Sequence, residues 1–389
     1  MKPNPQTYRR IPQGITLVEL MVALVISSII LLGVATVYSS SKRSYKIQEE
    51  FSRLQENTRF AFLQMTQEIR NAGWVSDTPL TKLNCIAADS DICNNFSTWG
   101  ITGFEYAGTG PGNNYTITSL TNTGTPTNWS NGAGNNQLPA WLNGNVLAGN
   151  DVLIFASTEP AGNDCKFDCA KSLNQGSARF PKTGCGRIGR GTLVLLTDGK
   201  NTDIFQNVNV ASASTFSRGT SAGLIPGNLN PAGTSWTVAP LCDANGNSNL
   251  NILVAKYVAY YVGIGASGEP ALYQYDITGN PTELVEGVEN MQILYGIDNN
   301  PSDADYQPDQ FVSAANVSNF EDVIAVRISL LVRTPAETNR PVQAATLRLL
   351  GVDNATSVDV TTLPDRRLRK TFTTTIALRN KALNRKEFE

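Results

Sequence analysis

The residue with the most unusual chemistry is a carboxylate that stands alone. Glu19 is the only charge in the apolar run Ile15–Tyr38. At about 1.5 Å of rise per residue this run makes a helix of roughly 36 Å, enough to cross a hydrocarbon core of about 30 Å. A carboxylate at the centre of a bilayer costs about 2.5 kcal/mol or more, so it needs a partner. A free amine at Ile15 would lie one turn away on the same helix face. The amine of a neighbouring subunit would serve equally well. The chemistry to expect of Glu19 is therefore ion pairing. Directly before the run stands Gly14, closing a short leader that carries Lys2, Arg9 and Arg10.

Three simpler readings fit less well. A secretory signal peptide has a shorter apolar region with a small-residue cleavage site after it; this run is longer, holds a charge and is followed by no such site. A plain signal anchor explains the run but not a Glu five residues after a Gly. A twin-arginine signal could use Arg9-Arg10, but Ile11-Pro12 follows the pair. Gly14, Ile15 and Glu19 together resemble the class III signal of type IV pilins and pseudopilins. The resemblance implies cleavage after Gly14 by a prepilin peptidase on the cytoplasmic side, followed by N-methylation of Ile15. The family's usual first residue is Phe, and this chain has Ile. Lys2, Arg9 and Arg10 orient the amino terminus to the cytoplasm. Lys42 and Arg43 weaken the asymmetry, but Glu49 and Glu50 follow closely.

Composition removes several other classes of function. The 389 residues carry 31 basic and 33 acidic side chains, so no global field favours nucleic acid. The chain has no histidine, which excludes histidine general bases, Ser-His and Cys-His nucleophiles and histidine metal ligands. Six cysteines, Cys85, Cys93, Cys165, Cys169, Cys185 and Cys242, all follow the apolar run. An even count in an exported domain points to disulfides. Three of them, Cys165, Cys169 and Cys185, could offer thiolates to zinc, but paired C-x2-C units are missing. The sequence leaves the pairing open; Cys85 with Cys93 is the bridge singled out. No cofactor and no metal are expected, and no nucleophile elbow, Walker or dinucleotide fingerprint is present. An enzymatic role is not expected.

The elements that must position these residues follow from periodicity. From Ile15 to Ala72 there is no proline and one glycine, Gly33. Ile47, Phe51, Leu54, Thr58, Phe62, Met65 and Ile69 recur at three- and four-residue steps, the stripe of an amphipathic helix, and Gly73 is a natural stop. The division expected is a leader at 1–14, a transmembrane half-helix at 15–38, an amphipathic half at 39–73 and a β-rich periplasmic head at 74–389. Ser27, Ser28 and Gly33 are small residues that let helices approach closely. Residues 74 to about 150 are rich in Gly, Asn, Thr and Ser with interspersed aromatics, a loop-rich β region. Strands are predicted over Asp151–Ala156 and Thr192–Leu196, a hairpin over Ile252–Ile264 and Ala271–Ile277, and a strand over Gly287–Ile297. Ile324, Val326, Ile328, Leu330 and Val332, and then Phe372, Thr374, Ile376 and Leu378, alternate as half-buried antiparallel strands do. The fold class is α+β, a long helix packed on an antiparallel sheet with long loops, which is the pilin plan.

The carboxyl-terminal third is similar to the PilW-type minor pilins. The stretches that carry this are Glu283–Gln292, Tyr295–Asp298, Val326–Arg333 and Phe372–Asn380, with Arg59–Gly73 at the front. Many major pilins have a helix-breaking proline in the apolar half; its absence suggests a stiffer helix and a subunit other than the bulk one. The resemblance implies a minor pilin that helps prime pilus assembly, at or near the tip. It also implies roles in twitching motility or adhesion and passage from the inner membrane to the extracellular pilus tip. The partners it implies are other minor pilins, the major pilin, a tip-associated adhesin, the prepilin peptidase and the inner-membrane assembly platform. A large minor pseudopilin of type II secretion, or a DNA-uptake or adhesive pilin, is the alternative. Asp298, Asn300, Asp303, Asp305 and Asp309 crowd one loop that lacks the Gly of an EF-hand and holds Pro301, so a solvated acidic loop is expected there rather than calcium. Arg366, Arg367, Arg369 and Lys370 form a basic cluster, read as a solvated edge or a docking face for another pilin rather than a nucleic-acid site.

Overall fold

A computed structural model describes residues 14–73, 82–96, 100–220, 223–230, 234–300, 307–335, 337–338, 341–351 and 356–380. The leader residues 1–13 lie outside these. The chain divides into two compact units, Met1–Arg53 and Leu54–Glu389. One helix, α1 (Leu17–Arg70), begins in the first unit and ends in the second. It starts two residues later and ends two earlier than the proline-free stretch Ile15–Ala72 suggests. Gly73 stops it with φ 77, a conformation that favours glycine. The Gly73 N–H then donates to the Ala156 carbonyl at 2.9 Å. Gly100 crosses so closely that an added Cβ would sit 2.4 Å from the Gly73 Cα.

Within the second unit the stripe on α1 is Leu54, Thr58, Ala61, Met65 and Ile69, all buried. Phe62 packs beside it, whereas Ile47 and Phe51 are half-buried. Met65 and Ile69 are wholly enclosed, and each is worth about 1.5–3 kcal/mol of burial.

The head holds two larger sheets and two small ones, not the single antiparallel sheet expected. The nine-stranded sheet runs β1 (Lys82–Cys85), β9 (Asn201–Gln206), β8 (Leu193–Thr197), β11 (Asn251–Ile264), β5 (Val152–Pro160), β2 (Ile101–Tyr106) and β4 (Trp129–Ser130). The remaining two, β12 (Pro270–Asp276) and β13 (Thr282–Glu286), extend from β11. The 14-residue β11 is its spine: its start pairs with β8, its end with β12, and its opposite edge with β5. Val258, Tyr260 and Val262 face the α1 core, while Tyr257, Ala259 and Tyr261 face a second core around Phe104, Trp141 and Leu193. Cover on both faces explains why the strand reads as a continuous apolar run.

The second sheet is β15 (Gln310–Val312), β14 (Val288–Ile297), β16 (Val323–Arg333) and β19 (Arg369–Ala377), antiparallel throughout. Alternation predicted half-buried strands, yet ten of the eleven residues of β16 are buried. The reason is a three-stranded sheet on its far face, β17 (Thr346–Leu349), β18 (Val358–Thr361) and β3 (Asn114–Thr116). Leu294 and Leu331 pack there against Leu349, Val358 and Val360. Parallel pairing enters where β1 meets β9 and where β18 meets β3. The last sheet, β10 (Thr215–Ser217), β7 (Arg179–Thr183) and β6 (Lys166–Phe167), has its own aromatic core of Phe167, Phe180, Phe205, Phe216 and Trp236.

The two larger sheets are joined by polar staples. Asn150 Oδ1 accepts from the Met291 N–H at 2.8 Å, and Asp151 Oδ2 from the Ile293 N–H at 2.8 Å. Asn290 and Gln292 amides both donate to the Gly149 carbonyl.

Candidate assembly interface

Thr16 and Glu19 begin α1 as a capping box. The Glu19 N–H donates to Thr16 Oγ1 at 3.3 Å, while Thr16 N–H and Oγ1–H donate to Glu19 Oε2, both at 3.0 Å. The Thr-x-x-Glu spacing that signals such a box was present in the sequence. Within this chain, therefore, Glu19 is held by Thr16, and Ile15 is exposed. The apolar residues that follow are exposed on every side of the helix, from Val22 at 52% to Leu31 at 73%. A helix apolar all round is suited to lipid or to other helices. Two of its hydroxyls bond within the helix: Ser28 Oγ donates to the Val25 carbonyl and Thr36 Oγ1 to that of Gly33. Gly33 has open space where a Cβ would stand. Among the described residues this is the one helix long and apolar enough to cross a membrane.

In the second unit α1 is fixed to the nine-stranded sheet by a polar seam that the sequence reading missed. Glu68 Oε2 accepts from Tyr260 Oη at 2.7 Å and from Gln274 Nε2 at 2.6 Å, and Gln64 Nε2 donates to Gln274 Oε1 at 3.0 Å. Burial, and then the Glu68 carboxylate, push the Tyr260 phenol far above its ordinary range. It therefore stays a donor at any physiological pH. The partners lie about 200 positions apart, so no local spacing announces them. On the outer face of the same helix Phe60 and Leu63 are exposed, at 64% and 57%.

All six cysteines are bonded, Cys85 to Cys93, Cys165 to Cys185 and Cys169 to Cys242. The last two clasp the aromatic subdomain around β6 and β7, and no thiol is left for zinc.

The basic cluster requires a correction. The solvated-edge or docking-face reading fails for Arg369 and Arg367, which turn inward to carboxylates, while Arg366 is exposed. Arg369 Nε and Nη2 donate to Glu289 at 2.7 and 2.9 Å, and its Nη1 and Nη2 donate to Asp365 at 2.7 Å each. Arg333 bonds Glu289 at 3.0 Å and contacts Glu269, which also accepts from Arg367 at 2.9 Å. Three arginines thus meet three carboxylates at the ends of β14, β16 and β19. Lys370 lies over the Phe372 ring. The reason is charge balance: Glu289 is buried in the sheet, and cations must accompany it.

In the acidic loop Asp298 accepts from the Asn300 N–H and Asp309 from the Asn299 N–H. Asp303 and Asp305 lie outside the described residues. No group of three or more acidic or cysteine side chains suited to a metal occurs among the described residues.

A long amino-terminal helix, apolar and exposed on every side, followed by a mostly β head is a pilin-like arrangement. Residues 9–35 match the prokaryotic N-terminal methylation motif, a span that includes Gly14, Ile15 and Glu19. Residues 259–380 match the family model described as type IV pilus-assembly protein W. The chain therefore carries a PilW-type domain, made of the end of β11, the strands β12–β16 and β17–β19, behind a prepilin-type amino terminus. No curated protein and no solved structure matches the chain.

Proposed function

We propose that this protein is a minor subunit of a type IV pilus that helps to prime assembly and sits at or near the tip. The observation that carries this is the presence of both matches, 9–35 and 259–380, in one chain whose apolar half-helix is fully exposed. In this reading residues 1–14 are a leader removed after Gly14, and Ile15 becomes the methylated first residue. Residues 15–38 span the inner membrane, 39–73 continue the helix, and 74–389 form a periplasmic head that later becomes extracellular. Glu19 exchanges its Thr16 contacts for the amino terminus of a neighbouring pilin. Other minor pilins, the major pilin and a tip adhesin are the partners, after the prepilin peptidase and the assembly platform have acted. Phe60 and Leu63 give the helix an apolar outer face to bury against them. The role is structural, not enzymatic.

Deleting the gene tests the reading. Loss of surface pili and twitching with intact protein secretion supports it. Loss of exoprotein secretion with normal twitching refutes it and assigns a type II secretion pseudopilin. Mass spectrometry of the mature amino terminus tests the processing step separately.

A further inference from the structure

Among the described residues the longest strand at a sheet edge is β19. It pairs with β16 along Arg369–Ala377, and no described strand pairs with its other side. The two ends of this ladder fix which backbone groups face which way. The Thr334 N–H donates to the Leu368 carbonyl at 2.9 Å, and the Leu378 N–H to the Ile324 carbonyl at 2.8 Å. In an antiparallel pair such bonded positions recur at every second residue. The even-numbered residues from 368 to 378 therefore bond to β16. Thr371, Thr373, Thr375 and Ala377 turn their N–H and C=O groups outward. None of these four has a backbone partner on that side among the described residues. Thr373, Thr375 and Ala377 are exposed.

Sheet edges are usually kept short, bulged, charged or broken by proline, because an open ladder invites another strand. The other edges of the two larger sheets are short: β1 has four residues, β4 two, β13 five and β15 three. β19 has nine and no register shift. From Thr371 to Ala377 it holds neither a charge nor a proline. The charges stand around this stretch. Arg366 precedes the strand, Arg379 follows it, and Arg327 Nε donates to Thr375 Oγ1 at 3.3 Å. None of the three ion-pairs with a carboxylate among the described residues. On the side of the α1 core Phe372 is only half-buried, whereas Ile376 is enclosed.

The geometry points to strand addition. β19 takes up an extended segment of a neighbouring pilus subunit, one that alternates apolar and polar residues and bears carboxylates toward its ends. Main-chain bonds to Thr371, Thr373, Thr375 and Ala377 supply the affinity, and side chains the selectivity. The carboxylates answer Arg366 at one end and Arg327 and Arg379 at the other, and an apolar side chain closes over Phe372. A second copy of this chain suits the edge less well. Antiparallel pairing of β19 with its own copy brings Arg366 toward Arg379 at both ends, and like charges repel. The added strand follows from β19 itself; a pilus subunit as its source rests on the function proposed above.

Proline tests the outward groups. At Thr373 it removes an N–H that β16 does not use, a change an edge strand tolerates. Thr373→Ala loses the same hydroxyl contact with Ser329 but keeps the N–H. The probe is a fluorescent peptide of alternating threonine and valine with a glutamate at each end. Its anisotropy is followed as the full chain in detergent micelles is added. We expect wild type and Thr373→Ala to bind it within about twofold of each other. Thr373→Pro, with an unchanged thermal midpoint, should bind at least about tenfold more weakly. The same peptide methylated on every backbone nitrogen must not bind wild type, a test that stands even if Thr373→Pro fails to fold. In cells Thr373→Pro should lower pilus number toward that of the gene deletion, and Thr373→Ala should not. No peptide binding by wild type, or equal binding by a folded Thr373→Pro, would overturn the added strand. Binding lost in Thr373→Pro with normal pilus number would overturn a pilus subunit as its source. Pili unaffected by the gene deletion itself would refute the pilus reading instead, leaving the peptide result to judge the strand. Self-association of wild type that the peptide competes away would overturn the partner in favour of a second copy.

Discussion

Replacing Arg369 by alanine asks whether the basic cluster is internal scaffolding. Arg369 is 3% exposed and Glu289 1%. Burial already raises Glu289 above the usual carboxylate range, against the pull of its arginines. Without Arg369, Glu289 keeps only its contact with Arg333, and Asp365 loses two bonds at 2.7 Å. Breaking one partner out of a buried charge network costs about 3–5 kcal/mol, because the remaining charges stay desolvated. Urea unfolding of the full chain in micelles, followed by tryptophan fluorescence, should show a lower midpoint with an unchanged slope. Arg53→Ala is the control. Its ion pair with Glu49 is 74% and 47% exposed, so it should shift stability by about 0.5 kcal/mol or less. Equal midpoints for Arg369→Ala and wild type would refute the network argument and return the cluster to a surface role.

Three further outcomes are expected. Gly14→Asp should leave a membrane-bound precursor of higher mass, detected by immunoblot and mass spectrometry; normal maturation would refute the cleavage assignment. Glu19→Ala should insert and fold yet reduce pilus number. Thr16→Ala, which removes only the capping contact at about 1 kcal/mol, should assemble far better, and equal defects in the two would tie Glu19 to the cap alone. The double replacement Cys169→Ser with Cys242→Ser opens a cross-link of sequence separation 73. By the chain-entropy relation this costs about 4 kcal/mol, so protease should nick the β6–β10 subdomain first. Uniform digestion across the head would count against a separately clasped subdomain.

Much of this molecule was legible in the chain itself, wherever neighbours along the sequence decide the outcome. The absence of proline between Ile15 and Ala72 and the stripe from Leu54 to Ile69 specify α1, since helical hydrogen bonds and facing side chains lie three or four residues apart. The β11–β12 hairpin and the β16 and β19 strands announce themselves by β-branched and aromatic runs. Glu19 and Thr16 meet within one turn, so even the capping box was readable. Tertiary structure decided the rest, because the partners are remote. Arg369 reads as surface charge until β19 is laid beside β16 and its guanidinium meets Glu289, 80 positions away. The disulfide partners depend on how β6, β7 and the loop before β11 fold over one another. Glu105 and Asp151 are unremarkable acids in the sequence. Only the crossing of two sheets removes water from both at once, and it is that desolvation, not their identity, which raises both carboxyls above their usual range.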